Sequence, residues 1–323
     1  MKKFLIFFLL YSFNLHAFND QLNEKQNQNS INLGVDSLNS ISTINFEYNS
    51  FVKLYMDAYL IKDKKLISKM LARSKHYFPI FEQKLDKYNL PLELKYLSVV
   101  ESSLNTRAKS PSGALGLWQF MYPTAKEYGL RVTSYIDERL DPFKSTEAAC
   151  KYFIKLYDLF GDWNLVLAAY NGGPGYIQRK MIATGHDNYW DLRPHLRTET
   201  RNYVPKFIAI TYLMEFHTNY KFPIDTLDII LLNSDTIQID HQTNYKTLSK
   251  LTCLSEDDIS YYNPSFKNNI IPKGSTIVLP KSNIDDYYLN YQEYKVFTQA
   301  VNDKEILLDE TLINYSVVSG DYL

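Results

Sequence analysis

Cysteine is nearly absent. The 323 residues hold two, Cys150 and Cys253, too far apart for a disulfide framework. Each reads as a small buried apolar residue, although an exported protein would permit a bridge. An excess of one charge is also missing. The 35 Lys and Arg against 36 Asp and Glu leave a formal net charge of −1, so there is no general electrostatic case for nucleic acid. No metal-ligand cluster and no phosphate-binding loop occurs, so no metal or cofactor is implied. Long apolar runs are lacking too. The run Phe4 to Phe13 is short for a bilayer span. It follows Lys2 and Lys3 and precedes Leu15-His16-Ala17, which makes residues 1–17 a secretory signal peptide. No Cys stands near its end for lipid attachment. Export to the periplasm or cell envelope is therefore expected, with membrane association only if the signal is retained.

What is present is ordinary for a globular protein, at 45% hydrophobic and 22% charged residues. The length suits one large domain or two smaller ones. Tyrosine is the outlier, with 27 residues. Its ring and hydroxyl together suit sugars, and AT-rich coding would give the same abundance.

Residues 18–45 are rich in Asn, Gln and Ser and read as a polar linker. Helical patterns at 51–60, 66–72 and 77–88 make residues 46–90 an N-terminal helical extension. A mainly α domain is expected over 91–218. Ser145 is a candidate N-cap for a helix whose inner face holds Ala149, Tyr152, Phe153, Leu156 and Phe160. Another helix starts at Asp162 and ends at Gly172-Gly173-Pro174, and a third covers about 202–216. Pro205 fits only the first turn of that last helix. Residues 219–240 form a connector with strand-like runs at 229–232 and 236–239. A small α+β module follows over 241–282, with helices near 248–251 and 256–262 and a strand at 276–279. The tail, 283–323, is weakly patterned until Tyr315.

Glu101 is the first chemical candidate. From Pro91, a plausible first helical residue, Leu94, Leu97, Ser98 and Glu101 recur at helical spacing and share one face. The carboxylate comes at the last turn, beside apolar neighbours and the negative end of the helix dipole. Desolvation there keeps a carboxyl protonated towards neutral pH, which suits a general acid. A Glu turned outward into solvent satisfies the same spacing. Gln119 follows a glycine-rich loop, Tyr170 and Asn171 end a helix against glycines, and Tyr203 begins another helix. Each also has a structural reading: core aromatics, a helix cap and a backbone hydrogen-bonder.

The four stretches VVESSLN, SPSGALGLWQF, AAYNGGPG and ETRNYVPKF, in that order, resemble the four motifs of the family 1 lytic transglycosylases. These are relatives of goose-type lysozyme. The similarity runs over about 51–216 and is greatest to the membrane-bound lytic murein transglycosylase D type. It implies a lysozyme-like helical catalytic domain that cleaves β-1,4 bonds between N-acetylmuramic acid and N-acetylglucosamine. The partner is then the peptidoglycan glycan strand. By this resemblance Glu101 is the sole catalytic acid and base, and the product is a 1,6-anhydromuramoyl end. Ser110 and Ser112 match serines that contact the muramoyl sugar. Gln119, Tyr170 and Asn171 match glycan-binding residues, and Tyr203 matches a Tyr near the catalytic Glu. Trp118 departs from the Met frequent in the wider family, which bears on subsite shape.

A glycosidase usually needs two carboxylates, and no second acid in the other three motifs is placed like Glu101. Asp137, Glu138 and Asp141 read as an ion-pair and turn cluster around Arg139. A nucleophile within the substrate fits a single carboxylate. A hydrolytic muramidase of the same fold and a non-catalytic wall-binding scaffold are the alternatives.

The segment 241–282 resembles a degenerate LysM module through YYNPSF, IPKG and IVLP, although its opening lacks the usual Gly-Asp-Thr-Leu. Such modules bind N-acetylglucosamine-containing glycans, and a spacer role is equally open. The closing YSVVSGDYL resembles the start of a second, truncated LysM, too short to bury a core, and is expected to be poorly ordered.

Overall fold

The computed structural model describes residues 28–223 and 233–301. The expected signal peptide, the strand-like run at 229–232 and the final LysM-like fragment lie outside them. Among the described residues no helix is long and apolar enough to cross a membrane.

The first departure from expectation is at the N-terminus. Residues 28–41, read as linker, form an α-helix, α1. Ile31, Val35 and Leu38 fall on one helical face and are buried, and Ile44 and Phe46 follow them into the same core. That stripe is diluted by Asn, Gln and Ser, so composition hides it. Gly34 lets α1 approach closely: a Cβ there would stand 2.6 Å from the Tyr212 ring.

Two long helices follow, α2 (Ser50–Lys62) and α3 (Lys64–Lys87). The patterns at 66–72 and 77–88 are thus one helix of 24 residues with Pro79 inside it. Phe81 and Leu85 from its second half, and Ile67 and Met70 from its first, all enter one core. Burial on both sides of Pro79 outweighs the hydrogen bond it removes.

Pro91 is extended, not helical, with ψ at 130°. A 3₁₀ turn, Leu92–Leu94, leads into α4 (Lys95–Ser102). After α5 (Tyr122–Glu127) comes α6 (Pro142–Phe160). Its N-cap is Asp141, not Ser145: the Asp141 carboxylate accepts the Phe143 and Lys144 amides, and Pro142 occupies the first turn. Ser145 is fully buried inside the helix. Helices α7 (Trp163–Gly172), α8 (Pro174–Thr184), α9 (Tyr189–Leu192) and α10 (Thr198–Glu215) complete this domain.

Helix α10 is central and packs on α2, α4 and α7. It begins four residues earlier than expected, so Pro205 lies in its interior. Pro205 cannot bond the carbonyl of Arg201, and the Tyr189 hydroxyl donates to that carbonyl instead at 2.6 Å. The core runs unbroken from Ile31 to Met214, so the expected extension and catalytic domain share one interior.

The second unit pairs β1 (Ser234–Gln238) antiparallel with β4 (Thr276–Pro280), and β2 (Thr243–Asn244) with β3 (Ile270–Ile271). Helices α11 (Tyr245–Thr252) and α12 (Glu256–Tyr262) lie between β2 and β3 in sequence, inside both strand pairs. Asn263 ties the module together. Its amide donates to Ile259 and Val278 carbonyls and accepts the Val278 amide. The segment from 281, expected to be weakly patterned, is α13 (Lys281–Val301). Tyr287 is buried against the module's own core. Both cysteines are free. Cys150 is buried as expected, but Cys253 is exposed, at the left-handed end of α11.

Candidate active site

Glu101 stands in the last turn of α4. The chain leaves that helix abruptly, because Ser103 and Leu104 both take left-handed conformations, at φ 53° and 58°. This turn leads into the glycine-marked loop, residues 105–120, named the cleft loop after the resemblance above, while Glu101 remains partly buried at its edge. Burial of the carboxyl pushes its pKa up to about 7. A hydrogen bond from Tyr203 and the charge of Lys206 oppose that shift, and the charge of Glu199 adds to it.

Tyr203 is buried on α10 and donates its hydroxyl to Glu101 Oε1. Burial, the Glu101 charge and this bond hold its own pKa well above that of an ordinary phenol. Tyr170, at the end of α7, donates to the Trp118 carbonyl at 2.6 Å. It too is raised well above the usual value, by burial and then by the charge of Glu101. The structure thus brings Glu101, Tyr170 and Tyr203 together from three helices.

The remaining candidates lie around this trio. Asn171 is clamped from both ends: its amide donates to Glu199 at 3.3 Å, and its carbonyl accepts from Thr200 at 2.9 Å. Gln119 sits in a left-handed conformation at φ 49° and donates its side-chain amide to the carbonyls of Ala108 and Gly116. It therefore pins the cleft loop, as its structural reading held. Ser110 and Ser112 face each other at 2.9 Å, and Ser110 also accepts the Ala114 amide. Among the described residues, Glu101 has no hydrogen bond with Ser110, Ser112, Gln119 or Asn171.

Trp118 does not shape the cleft with its ring. The indole is fully buried between Phe81 and Phe153 and donates to Thr146. Only its carbonyl faces the site, through Tyr170. The acids read as a turn cluster are that: Asp137 pairs with Arg139, Glu138 with Arg131 and Lys144, and Asp141 caps α6.

Sequence reasoning missed Glu199, Thr200 and Lys206. The signal was available in the fourth stretch, because Glu199, Tyr203 and Lys206 recur at i, i+4 and i+7 and share a helix face. Glu199 is exposed and hydrogen-bonded to Asn171, so it is unlike the desolvated Glu101. Among the described residues no group of three or more His, Cys, Asp and Glu could hold a metal ion.

Residues 78–192 match the transglycosylase SLT domain, and residues 233–296 match the LysM-like domain of lytic transglycosylase MltD. Membrane-bound lytic murein transglycosylase D of Escherichia coli K12 is 28% identical over 277 residues, covering 81% of this chain and 59% of its own length. Peptidoglycan transglycosylase gp16 of Escherichia phage T7 is 37% identical over 109 residues, covering 33% of this chain and 8% of its own. The 70 kDa soluble lytic transglycosylase SLT70 from E. coli has 24% identity and a TM-score of 0.39, over 46% of this chain and 26% of that one. The chain thus spans 59% of the E. coli lytic transglycosylase D that it matches. Residues 78–192 are thus similar to a transglycosylase SLT domain, and residues 233–296 to a LysM-like domain of the lytic transglycosylase MltD type.

Proposed function

We propose that this chain is an exported lytic transglycosylase of the cell envelope, cleaving the β-1,4 bond between N-acetylmuramic acid and N-acetylglucosamine in peptidoglycan. The observation that carries the proposal is the desolvated carboxyl of Glu101, raised to about 7 and held by the buried Tyr203 hydroxyl at the edge of a loop. A carboxyl with that pKa is largely protonated below neutral pH and can still act as a base once it has given up its proton.

In this reading Glu101 first donates its proton to the glycosidic oxygen. The anomeric C–O bond breaks, and an oxocarbenium-like centre forms on the muramoyl ring. The Glu101 carboxylate then takes the proton of the 6-hydroxyl as that oxygen bonds the anomeric carbon. The products are a 1,6-anhydromuramoyl end and a free 4-hydroxyl, with no water consumed. The Tyr203 hydroxyl bonds the carboxylate and supports it between the two steps. Ser110 and Ser112 contact the muramoyl sugar. Asn171, with its amide oriented by Glu199 and Thr200, bonds the glycan, while Tyr170 and Gln119 fix the loop the glycan lies against.

Mass spectrometry of products released from purified sacculi tests the proposal. Anhydromuramoyl ends are expected, and Glu101→Gln should lower their release by about 10²-fold or more. Reducing ends would make the protein a hydrolytic muramidase. No release by the unsubstituted protein would leave a wall-binding scaffold.

A further inference from the structure

Two hydrogen-bonded contacts among the described residues join the LysM-like module to the SLT domain and lead to the cleft loop. The first is direct. Arg107, at the start of that loop, donates to the carbonyl and hydroxyl of Ser260, at 2.6 and 2.7 Å. Ser260 lies in the last turn of α12, where helix carbonyls have no partner along the helix. A cation there also meets the negative end of the helix. Arg107 therefore caps a module helix from the start of that loop.

The second contact is a short antiparallel bridge between Ile136 and Phe266. The Asp137 amide donates to the Ser265 carbonyl, and the Lys267 amide to the Tyr135 carbonyl, both at 2.8 Å. Lys267 Nζ adds a bond to the Thr133 carbonyl at 2.9 Å. On the far side of the bridge Asp137 pairs with Arg139. Arg139 in turn donates to the Gly113 carbonyl at 3.1 Å, inside the cleft loop. Its own carbonyl lies against Gly116, where a Cβ would come within 2.0 Å. The module thus reaches the Ser110–Ser112 turn from Arg107 on one side and from Arg139 on the other.

The interface is hydrogen-bonded and incompletely packed. A cavity of about 190 Å³ remains between Tyr77, Thr106 and Phe143 on the SLT side and Tyr262, Pro264 and Val278 on the module. Hydrogen bonds across such a gap hold a geometry without fusing two cores. The cores are in fact separate, one ending at Met214 and the other beginning at Ile237.

We infer that the LysM-like module is a docked brace for the cleft loop, and that Arg107 is a positioning residue for Ser110 and Ser112. The module then acts on the SLT domain's own glycan contacts, whether or not it binds glycan itself. Its 263–268 segment is occupied by the docking. This rests on the function proposed above only where it concerns turnover, because loop order can be read without activity.

The test uses the full chain with Arg107→Ala, Arg107→Lys and Lys267→Glu. Lys267→Glu places a carboxylate beside Asp137, 4.0 Å from the present ammonium, and lies outside the cleft loop. Hydrogen exchange of the Gly113, Ala114 and Gly116 amides should rise several-fold in Arg107→Ala and in Lys267→Glu. Amides of α4 and α10 should keep their protection, which separates loosening from misfolding. KM for glycan should rise about five- to tenfold, with kcat within twofold and an unchanged pH profile. Arg107→Lys should recover part of the loss. Unchanged loop exchange in Lys267→Glu would overturn the brace. Faster exchange with unchanged KM would overturn the positioning role. Activity persisting in Glu101→Gln would instead remove the proposed function and leave the exchange result standing.

Discussion

Tyr203 and Glu101 are joined by a hydrogen bond across 102 residues of chain, from the second turn of one helix to the last turn of another. Both groups are desolvated, and the bond favours the charged form of the acid. Burial of the carboxyl nevertheless wins, and Glu101 titrates near 7 instead of near the ordinary carboxylate value.

The pH dependence of cleavage follows from that balance. The first step needs protonated Glu101, so kcat/KM should fall as pH rises through about 7. The sign for stability is the same. A carboxyl whose folded pKa is raised contributes stability below its unfolded pKa and loses it as pH rises through the folded one. Glu101→Gln should therefore be more stable than the unsubstituted chain at pH 8, by about 3 kcal/mol at most, and closer to it at pH 4. Thermal melts at the two pH values check this; a gain larger at pH 4 would contradict it.

Tyr203→Phe removes the donor that favours the Glu101 carboxylate. The basic limb of the pH profile should move to higher pH, and turnover should drop by about 10- to 100-fold, the worth of a hydrogen bond to a charged group. Glu199→Gln acts in the opposite direction on the limb, because a neighbouring negative charge is lost. Profiles measured on the two variants should therefore diverge from the parent in opposite senses.

Gly116→Ala should be severely destabilising. The residue has φ 84°, and the added Cβ would stand 2.0 Å from the Arg139 carbonyl oxygen. Backbone must move to admit it, at a cost of about 2 kcal/mol or more. Denaturant unfolding reads the loss, and a change under about 0.5 kcal/mol would show that the loop accommodates the methyl.

Tyr189→Phe tests how α10 tolerates an internal proline. It leaves the Arg201 carbonyl with neither its helical partner nor the phenol. A loss of about 1–3 kcal/mol is expected for a buried unpaired carbonyl. Combining it with Pro205→Ala, which restores an amide at that position, should recover part of the loss. Full additivity of the two changes would argue against the shared carbonyl.

The sequence alone determined the character of the α4 end and of the helical domain. Glu101 on an apolar stripe, the glycine-marked loop and the end of α7 at Gly172 all follow from local periodicity and turn chemistry. So does the change to a strand-bearing module after α10, where Asn263-Pro264 marks the turn that Asn263 then ties. Tertiary packing decided what periodicity could not weigh. Helix 28–41 exists because three apolar residues among many polar ones find a core, and α3 continues through Pro79 because burial on both sides holds it. Pro205 is admitted inside α10 because a distant Tyr189 meets the carbonyl it frees. Gln119 turned out to hold the loop and Trp118 to fill the core, since spacing says which residues are neighbours on an element but not which element faces them. The pairing of Tyr203 with Glu101 is of that second kind. Each residue could be read on its own helix face, and only the packing of α10 across α4 put one hydroxyl on one carboxylate.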